Sequence, residues 1–206
     1  MIRYARTSWE VLLKALLEHL EILLITLFVA LLLAAFLTVA AMLSKKLANG
    51  LVYLFSVAYS VPSLALFALL IPVTGLGRTS AIIVLVLYCQ YILLRNFIAG
   101  LNGVDPAVVE AASGMGMTTL QVIFRIRLPL AKRAIFTGIR LASVTTIGIA
   151  TIAAFINAGG LGTILNDGLR TMNIYKILWG TILSGGLALL INSLLVRLEK
   201  RLSVDS

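Results

Sequence analysis

The sequence predicts an all-α polytopic membrane protein with five transmembrane helices, and three observations predict it. Hydrophobic residues fill 61% of the 206 positions and charged residues only 12%, against roughly 45–50% and about 25% in soluble domains. So few charged side chains cannot cover the apolar surface of a soluble protein of this length, and the mean hydropathy of +1.08 agrees. The apolar residues also gather into runs close to the roughly 20 residues that carry a helix across about 30 Å of hydrocarbon. This composition excludes a soluble enzyme with a large domain outside the bilayer.

The first span is 22–43, followed at once by Ser44-Lys45-Lys46. It is too long for the apolar part of a signal peptide, and the residues before it mix Arg3, Arg6 and Lys14 with Glu10 and Glu18, so it reads as a retained helix. The second span is 51–73, interrupted by Pro62 and closed by Pro72. Pro62 predicts a kink there, with backbone groups released that must find other partners. The third span is 81–99, ending in Gly100-Leu101-Asn102-Gly103. The fourth is 134–156, closed by Asn157-Ala158-Gly159-Gly160, and the fifth is 177–196, followed by Arg197, Lys200 and Arg201. These spans use up the chain, so 1–206 is expected to be one transmembrane domain, with outer loops at 74–80 and 157–176 and a longer polar loop at 101–133.

Lys plus Arg number 17 and Asp plus Glu 8, a net charge of +9. In a soluble protein this excess would suggest nucleic acid; in a membrane protein it marks the cytoplasmic side. With the 101–133 loop in the cytoplasm, that side holds Lys45, Lys46, Arg95, Arg125, Arg127, Lys132, Arg133, Arg140, Arg197, Lys200 and Arg201, eleven of the 17. The N-terminus is then outside and the C-terminus inside, with the basic N-terminus a mild exception. The expected surroundings are membrane lipid and no nucleic acid. The single cysteine, Cys89, lies in an apolar run and allows neither a disulfide framework nor a cysteine metal site. The single histidine, His19, cannot build a metal cluster alone and reads as a solvated or capping side chain. A phosphate-binding loop needs Gly-Lys followed by Ser or Thr, and no lysine here precedes either residue. The chain therefore carries no ATPase, no catalytic residue and no cofactor of its own.

The 101–133 loop is the most informative stretch. Asp105-Pro106 suits a helix start, with aspartate as N-cap and proline at the first helical position. That helix should run from Pro106 to about Ser113 and break at Gly114-Met115-Gly116. Thr118 and Gln121 have the spacing of a capping box. A second helix should then continue to about Arg127, with Leu128-Pro129 leading into the fourth span. The loop is thus two short helices around a glycine elbow.

Glu110-Ala111-Ala112, three residues, Gly116, nine residues, Ile126, one residue and Leu128-Pro129 resemble the EAA loop of ABC importer permeases at every defining position. The resemblance implies a type I importer permease fold in the bacterial cytoplasmic (inner) membrane. It implies a cytoplasmic ATPase dimer, holding ATP and magnesium, that docks on Asp105, Pro106, Glu110, Ala111, Ala112, Gly114, Gly116, Met117, Ile126, Leu128 and Pro129. Glu110 would pair with a basic group on that partner, the two alanines would allow close approach and Gly116 would form the elbow. A second permease subunit, identical or paralogous, and an extracytoplasmic solute-binding protein are implied as well.

Three further stretches, Val61-Pro62-Ser63-Leu64-Ala65-Leu66, Gly103-Val104-Asp105-Pro106 and Thr146 to Gly162, resemble the subgroup that imports osmoprotectants such as glycine betaine, carnitine and choline. Related permeases for bile acids or ergothioneine look similar. The resemblance covers about residues 20–200, and the first nineteen correspond to nothing in the pattern. No binding domain follows the last span, so a separate binding protein is expected.

Small or polar residues recur at helical spacing in three spans: Tyr53, Ser56, Ser60, Ser63 and Phe67; Ser143, Thr146, Ala150, Ala153 and Asn157; Thr181, Ser184, Ala188 and Asn192. Such stripes can line a solute path, and they are equally the means by which membrane helices pack closely. The candidates for a path are Tyr53, Ser56, Ser60, Pro62, Ser63, Ser143, Thr146 and Asn157. Tyr53, Tyr59, Phe67, Tyr88 and Tyr91 could offer faces to a quaternary ammonium solute, or be ordinary core. Arg140 is expected to snorkel to the cytoplasmic surface, with pairing to a neighbouring helix as the alternative. A self-contained secondary transporter would place ionisable pairs in mid-span; Gln90 is the nearest polar candidate.

Overall fold

The computed structural model describes residues 1–203, and among these there are helices and no strand. In chain order they are α1 (Ile2–Thr7), α2 (Trp9–Met42), α3 (Lys45–Ser60), α4 (Ser63–Thr74), α5 (Arg78–Asn102), α6 (Pro106–Gly114), α7 (Thr119–Val122), a π-helical turn (Ile123–Arg127) and α8 (Leu128–Leu130). α9 (Lys132–Ile152), a 3₁₀ turn (Ala153–Ile156), α10 (Leu161–Arg170) and α11 (Ile174–Ser203) follow. α2, α5, α9 with its 3₁₀ turn, and α11 are each long and apolar enough to cross a membrane, and α3 with α4 supplies a fifth crossing if the bent pair is one span. Of the expected domain 1–206, residues 204–206 lie outside the described residues.

The first helix starts earlier than the apolar run suggests. α2 has 34 residues, about 51 Å at 1.5 Å per residue, so its first turns reach well past a 30 Å hydrocarbon layer. Hydropathy fades before residue 22, but a stripe of Leu12, Ala15, His19 and Ile22 keeps helical spacing and is buried. Leu12 and Ala15 pack with Leu161 and Ile164 of α10. That neighbour, which no local signal announces, carries the helix back to Trp9.

Pro62 breaks the second span outright. Val61 and Pro62 are extended, and α3 and α4 meet at 97°. The Val61 carbonyl, freed from helix pairing by the break, accepts a hydrogen bond from the Tyr88 hydroxyl. Pro72 does not close α4; the helix runs through it to Thr74 and ends at Gly75.

α5 is the central helix, packed by α2, α3, α4 and α9. Close approach is made by small residues: Ala30 and Ala34 on α2 and Ala142 on α9 are fully buried against it. A Cβ added to Gly100 would stand 2.5 Å from the Ala134 Cβ, so the α5 backbone lies directly against the Ala134 methyl at the start of α9. Gln90, the mid-span polar residue, is buried and donates to the Ala30 carbonyl at 3.0 Å.

Two further expectations change. The outer loop 157–176 contains α10, whose Leu161 and Ile164 are buried against α2. Arg140 pairs with Glu199 of α11 at 3.5 Å, with side chains 27% and 18% exposed. Snorkelling gives way to pairing because α11 brings a carboxylate within reach of the guanidinium.

Candidate functional site

The 101–133 loop is built by local chemistry. Asp105 caps α6, its Oδ1 accepting from the Ala107 N–H at 2.9 Å, with Pro106 in the first turn. α6 closes with the Gly116 N–H on the Ser113 carbonyl at 3.0 Å and the Met117 N–H on the Ala112 carbonyl at 3.2 Å, a Schellman end. This closure needs a left-handed residue, and Gly116 supplies it at φ 86°. Gly114 remains helical, so Gly116 alone is the elbow. Thr118 and Gln121 form the reciprocal capping box: the Gln121 N–H reaches Thr118 Oγ1 at 3.3 Å and the Thr118 N–H reaches Gln121 Oε1 at 2.8 Å.

The second helix does not stop near Arg127. After α7 the chain widens into the π turn, with the Leu128 N–H on the Ile123 carbonyl, and continues into α8. Pro129 explains the widening. It has no N–H for the carbonyl four residues back, and its ring would press on that carbonyl in a regular helix. Ile126 is half-buried in this turn, while Leu128 and Pro129 are exposed.

The two faces of the loop differ. Ala112, Val122 and Ile123 are buried on the inner face. Glu110, Ala111, Gly114 and Gly116 are exposed and Met117 is half-buried. Met115 (76% exposed), Leu120, Phe124 and Leu128 are uncovered as well. These side chains give an otherwise polar loop an apolar outer surface. Glu110 shares a cavity of about 500 Å³ with Lys45, Asn49, Asn102 and Arg127, yet among the described residues no salt bridge holds its carboxylate.

Sequence reasoning passed over Arg127, the unassigned position inside the Ile126–Leu128 motif. Its Nη1 donates to the Leu101 carbonyl at 2.9 Å and to Asn102 Oδ1 at 3.3 Å. This ties the π turn to the last turn of α5, where carbonyls lack intrahelical donors. The signal available was a basic side chain opposite a helix C-terminus, but its partner lies 26 residues upstream.

The residues proposed to line a path divide. Tyr53 and Ser60 are exposed and Ser56 half-buried on α3, the two serines bonding back to the Tyr53 and Val57 carbonyls. Pro62 is exposed and Ser63 half-buried at the break. Ser143 and Thr146 instead face inward: Ser143 is fully buried, and Thr146 meets Cys89 Sγ at 3.0 Å. Within this chain these two pack α9 on α5. Asn157 is exposed at the end of the 3₁₀ turn, in a left-handed conformation at φ 61°.

On the opposite side of the fold from the loop, Arg78 pairs with Glu21 at 2.7 Å and Glu18 at 3.5 Å. His19, expected to be solvated or capping, is fully buried and caps, its Nδ1 accepting from the Leu161 N–H at 3.3 Å.

Residues 27–204 match the family described as binding-protein-dependent transport system inner membrane component. The chain is 42% identical over 160 residues to the carnitine transport permease protein OpuCB of Listeria monocytogenes, covering 78% of this chain and 73% of that one. It is 34% identical over 203 residues to the choline transport system permease protein OpuBB of Bacillus subtilis, covering 98% and 94%. Among solved structures, an inward-facing form of the MetNI methionine ABC transporter superposes with a TM-score of 0.86 at 21% identity, covering 96% of this chain and 98% of that chain.

Proposed function

The chain belongs to the family of binding-protein-dependent transport system inner membrane components, and from that premise we propose that it forms half of the membrane route of an ATP-driven osmoprotectant importer. It is a permease subunit, and ATP hydrolysis is performed by a separate subunit. The solutes proposed are quaternary ammonium compounds of the glycine betaine, carnitine and choline class. The names of the relatives at 34–42% identity support this choice. The proposed assembly has two permease subunits, two ATPases on their cytoplasmic loops and a binding protein outside, with this chain's N-terminus outside and C-terminus inside.

The observation that carries the mechanism is the loop with a buried inner face, an exposed apolar outer face and two mechanical outlets. Closure of the ATPases moves α6 and α7. The π turn and α8 hand that displacement to α9, while Arg127 hands it to α5. Since α5 and α9 pack at close range along their length, a shift at the loop reorients the pair and opens the route toward the binding protein. On α3, Tyr53, Ser56 and Ser60, together with Pro62 and Ser63, are proposed to border that route. Asn157 is proposed at its outer end, and Ser143 and Thr146 hold α9 beside it.

Joint replacement of Glu110 by Ala and Gly116 by Val tests this reading. Uptake of labelled glycine betaine, carnitine and choline should be lost while the permease still reaches the membrane, and co-purification of the ATPase should fall. Undiminished uptake by the double variant would overturn it.

A further inference from the structure

Tyr59 of α3 and Tyr91 of α5 stand with ring centroids 4.8 Å apart and planes tilted by 36°. Tyr88 abuts Tyr59 edge-on at 5.3 Å and 61°, and its hydroxyl is held by the Val61 carbonyl at the proline break. One aromatic group is therefore assembled from two helices and braced by the break itself. Beside it opens a cavity of about 380 Å³ bordered by Tyr59, Tyr91, Arg95, Asn96 and Thr145, within the roughly 300–1,000 Å³ of small-molecule sites. Tyr91 lies about 20 Å along α5 from Arg78, near the middle of the helix.

Arg95 completes the cavity. Its guanidinium carbon is 5.8 Å from the Tyr91 ring centroid, and its Nη1 donates to the Tyr91 hydroxyl at 2.8 Å. Four N–H donors remain. Among the described residues no Asp or Glu lies within salt-bridge distance of Arg95. By contrast Arg140, on the neighbouring helix, has Glu199. A cation within a membrane-spanning helix, facing a cavity without a protein carboxylate, is suited to receive one from a solute.

We propose that Tyr59, Tyr91 and Arg95 form a transient site on the membrane route for a zwitterionic quaternary ammonium carboxylate. The ring faces attract the ammonium end. The guanidinium, with Asn96 and Thr145 at hand, receives the carboxylate. Opposite charges a few bonds apart in the solute match an arginine seated next to an aromatic face. The cavity is open and Arg95 is exposed, so binding is weak enough for release, as passage requires. The proposal rests on the solute class proposed above and adds a prediction that class alone does not make. Glycine betaine and carnitine engage both halves of the site, whereas choline, which lacks a carboxylate, engages only the rings.

The test is uptake of the three labelled solutes, below saturation, by cells without their own transporters for them that express the complete importer, with membrane levels measured alongside. Arg95→Gln should lower glycine betaine and carnitine uptake roughly tenfold, the worth of one charge-assisted hydrogen bond, and leave choline within about twofold. Tyr59→Leu should lower all three, and Tyr59→Phe, which keeps the ring face, should restore them. If Arg95→Gln fails to reach the membrane, Arg95→Ser and Arg95→Lys provide the same comparison: the serine variant should lose the two carboxylates selectively and the lysine variant should retain them. Equal loss of all three solutes in the arginine variants, no loss at all, or indifference to Tyr59→Leu would overturn the site while leaving the function intact. Failure of the wild-type importer to move any of the three would overturn the function and the site together.

Discussion

Glu18 Oε2 accepts a hydrogen bond from the Gly160 N–H at 3.1 Å, joining α2 to the turn that opens α10 across 142 residues of sequence. His19 takes the next amide, that of Leu161. Two of the unpaired donors at the start of α10 are thus satisfied from one turn of another helix, and the carboxylate suits the positive end of the α10 dipole. Arg78 holds the same carboxylate from α5.

Removing the Glu18 carboxylate should loosen α10 without unfolding the bundle. Glu18→Ala is expected to lower the local opening free energy of the 158–162 turn by about 1.5–3 kcal/mol, the range for hydrogen bonds to charged groups. Amide hydrogen exchange resolved to this segment is the measurement. Unchanged protection at Gly160 and Leu161 would show that the carboxylate contributes nothing there.

Arg127 should behave as a link and not as a docking residue. Arg127→Ala is expected to leave the ATPase bound while uptake falls on the order of tenfold, as the charge-assisted contact to α5 is lost. Arg127→Lys should recover only part of this, because one ammonium cannot reproduce the planar fork that meets both the Leu101 carbonyl and the Asn102 side chain. Pull-down of the ATPase, scored beside solute uptake, separates linkage from docking.

The contact of α5 and α9 at Gly100 and Ala134 should tolerate little volume. Gly100→Ala places its methyl 2.5 Å from the Ala134 Cβ, and such overpacking costs about 1–3 kcal/mol. The second change Ala134→Gly returns the missing space. Thermal melting of the purified protein in detergent should show a lowered Tm for the single variant and recovery in the double variant. Additive losses would place the strain elsewhere.

What was legible in the sequence depended on how far apart the partners lie. The caps of the 101–133 loop, Asp105 on Ala107 and Thr118 with Gln121, involve residues two or three positions apart and are written in adjacent letters. The apolar runs gave the crossing helices for the same reason. α10 was missed because its apolar positions make sense only against Leu12 and Ala15, and the early start of α2 was missed for the converse reason. The burial of His19, the tie from Arg127 to Leu101 and the pairing of Arg140 with Glu199 all need a neighbour brought in by folding. The tyrosines could be named from sequence, but not grouped. Tyr59 meets Tyr88 and Tyr91 only because folding packs α3 along α5.

The break at Val61 and Pro62 also sets the level at which α5 begins. Without the break, residues 45–74 would form a single rod about 45 Å long, overshooting the hydrocarbon and carrying Arg78 away from Glu18 and Glu21. Two extended residues thus fix the level at which the next helix starts and, with it, the ion pairs that fasten α5 to α2.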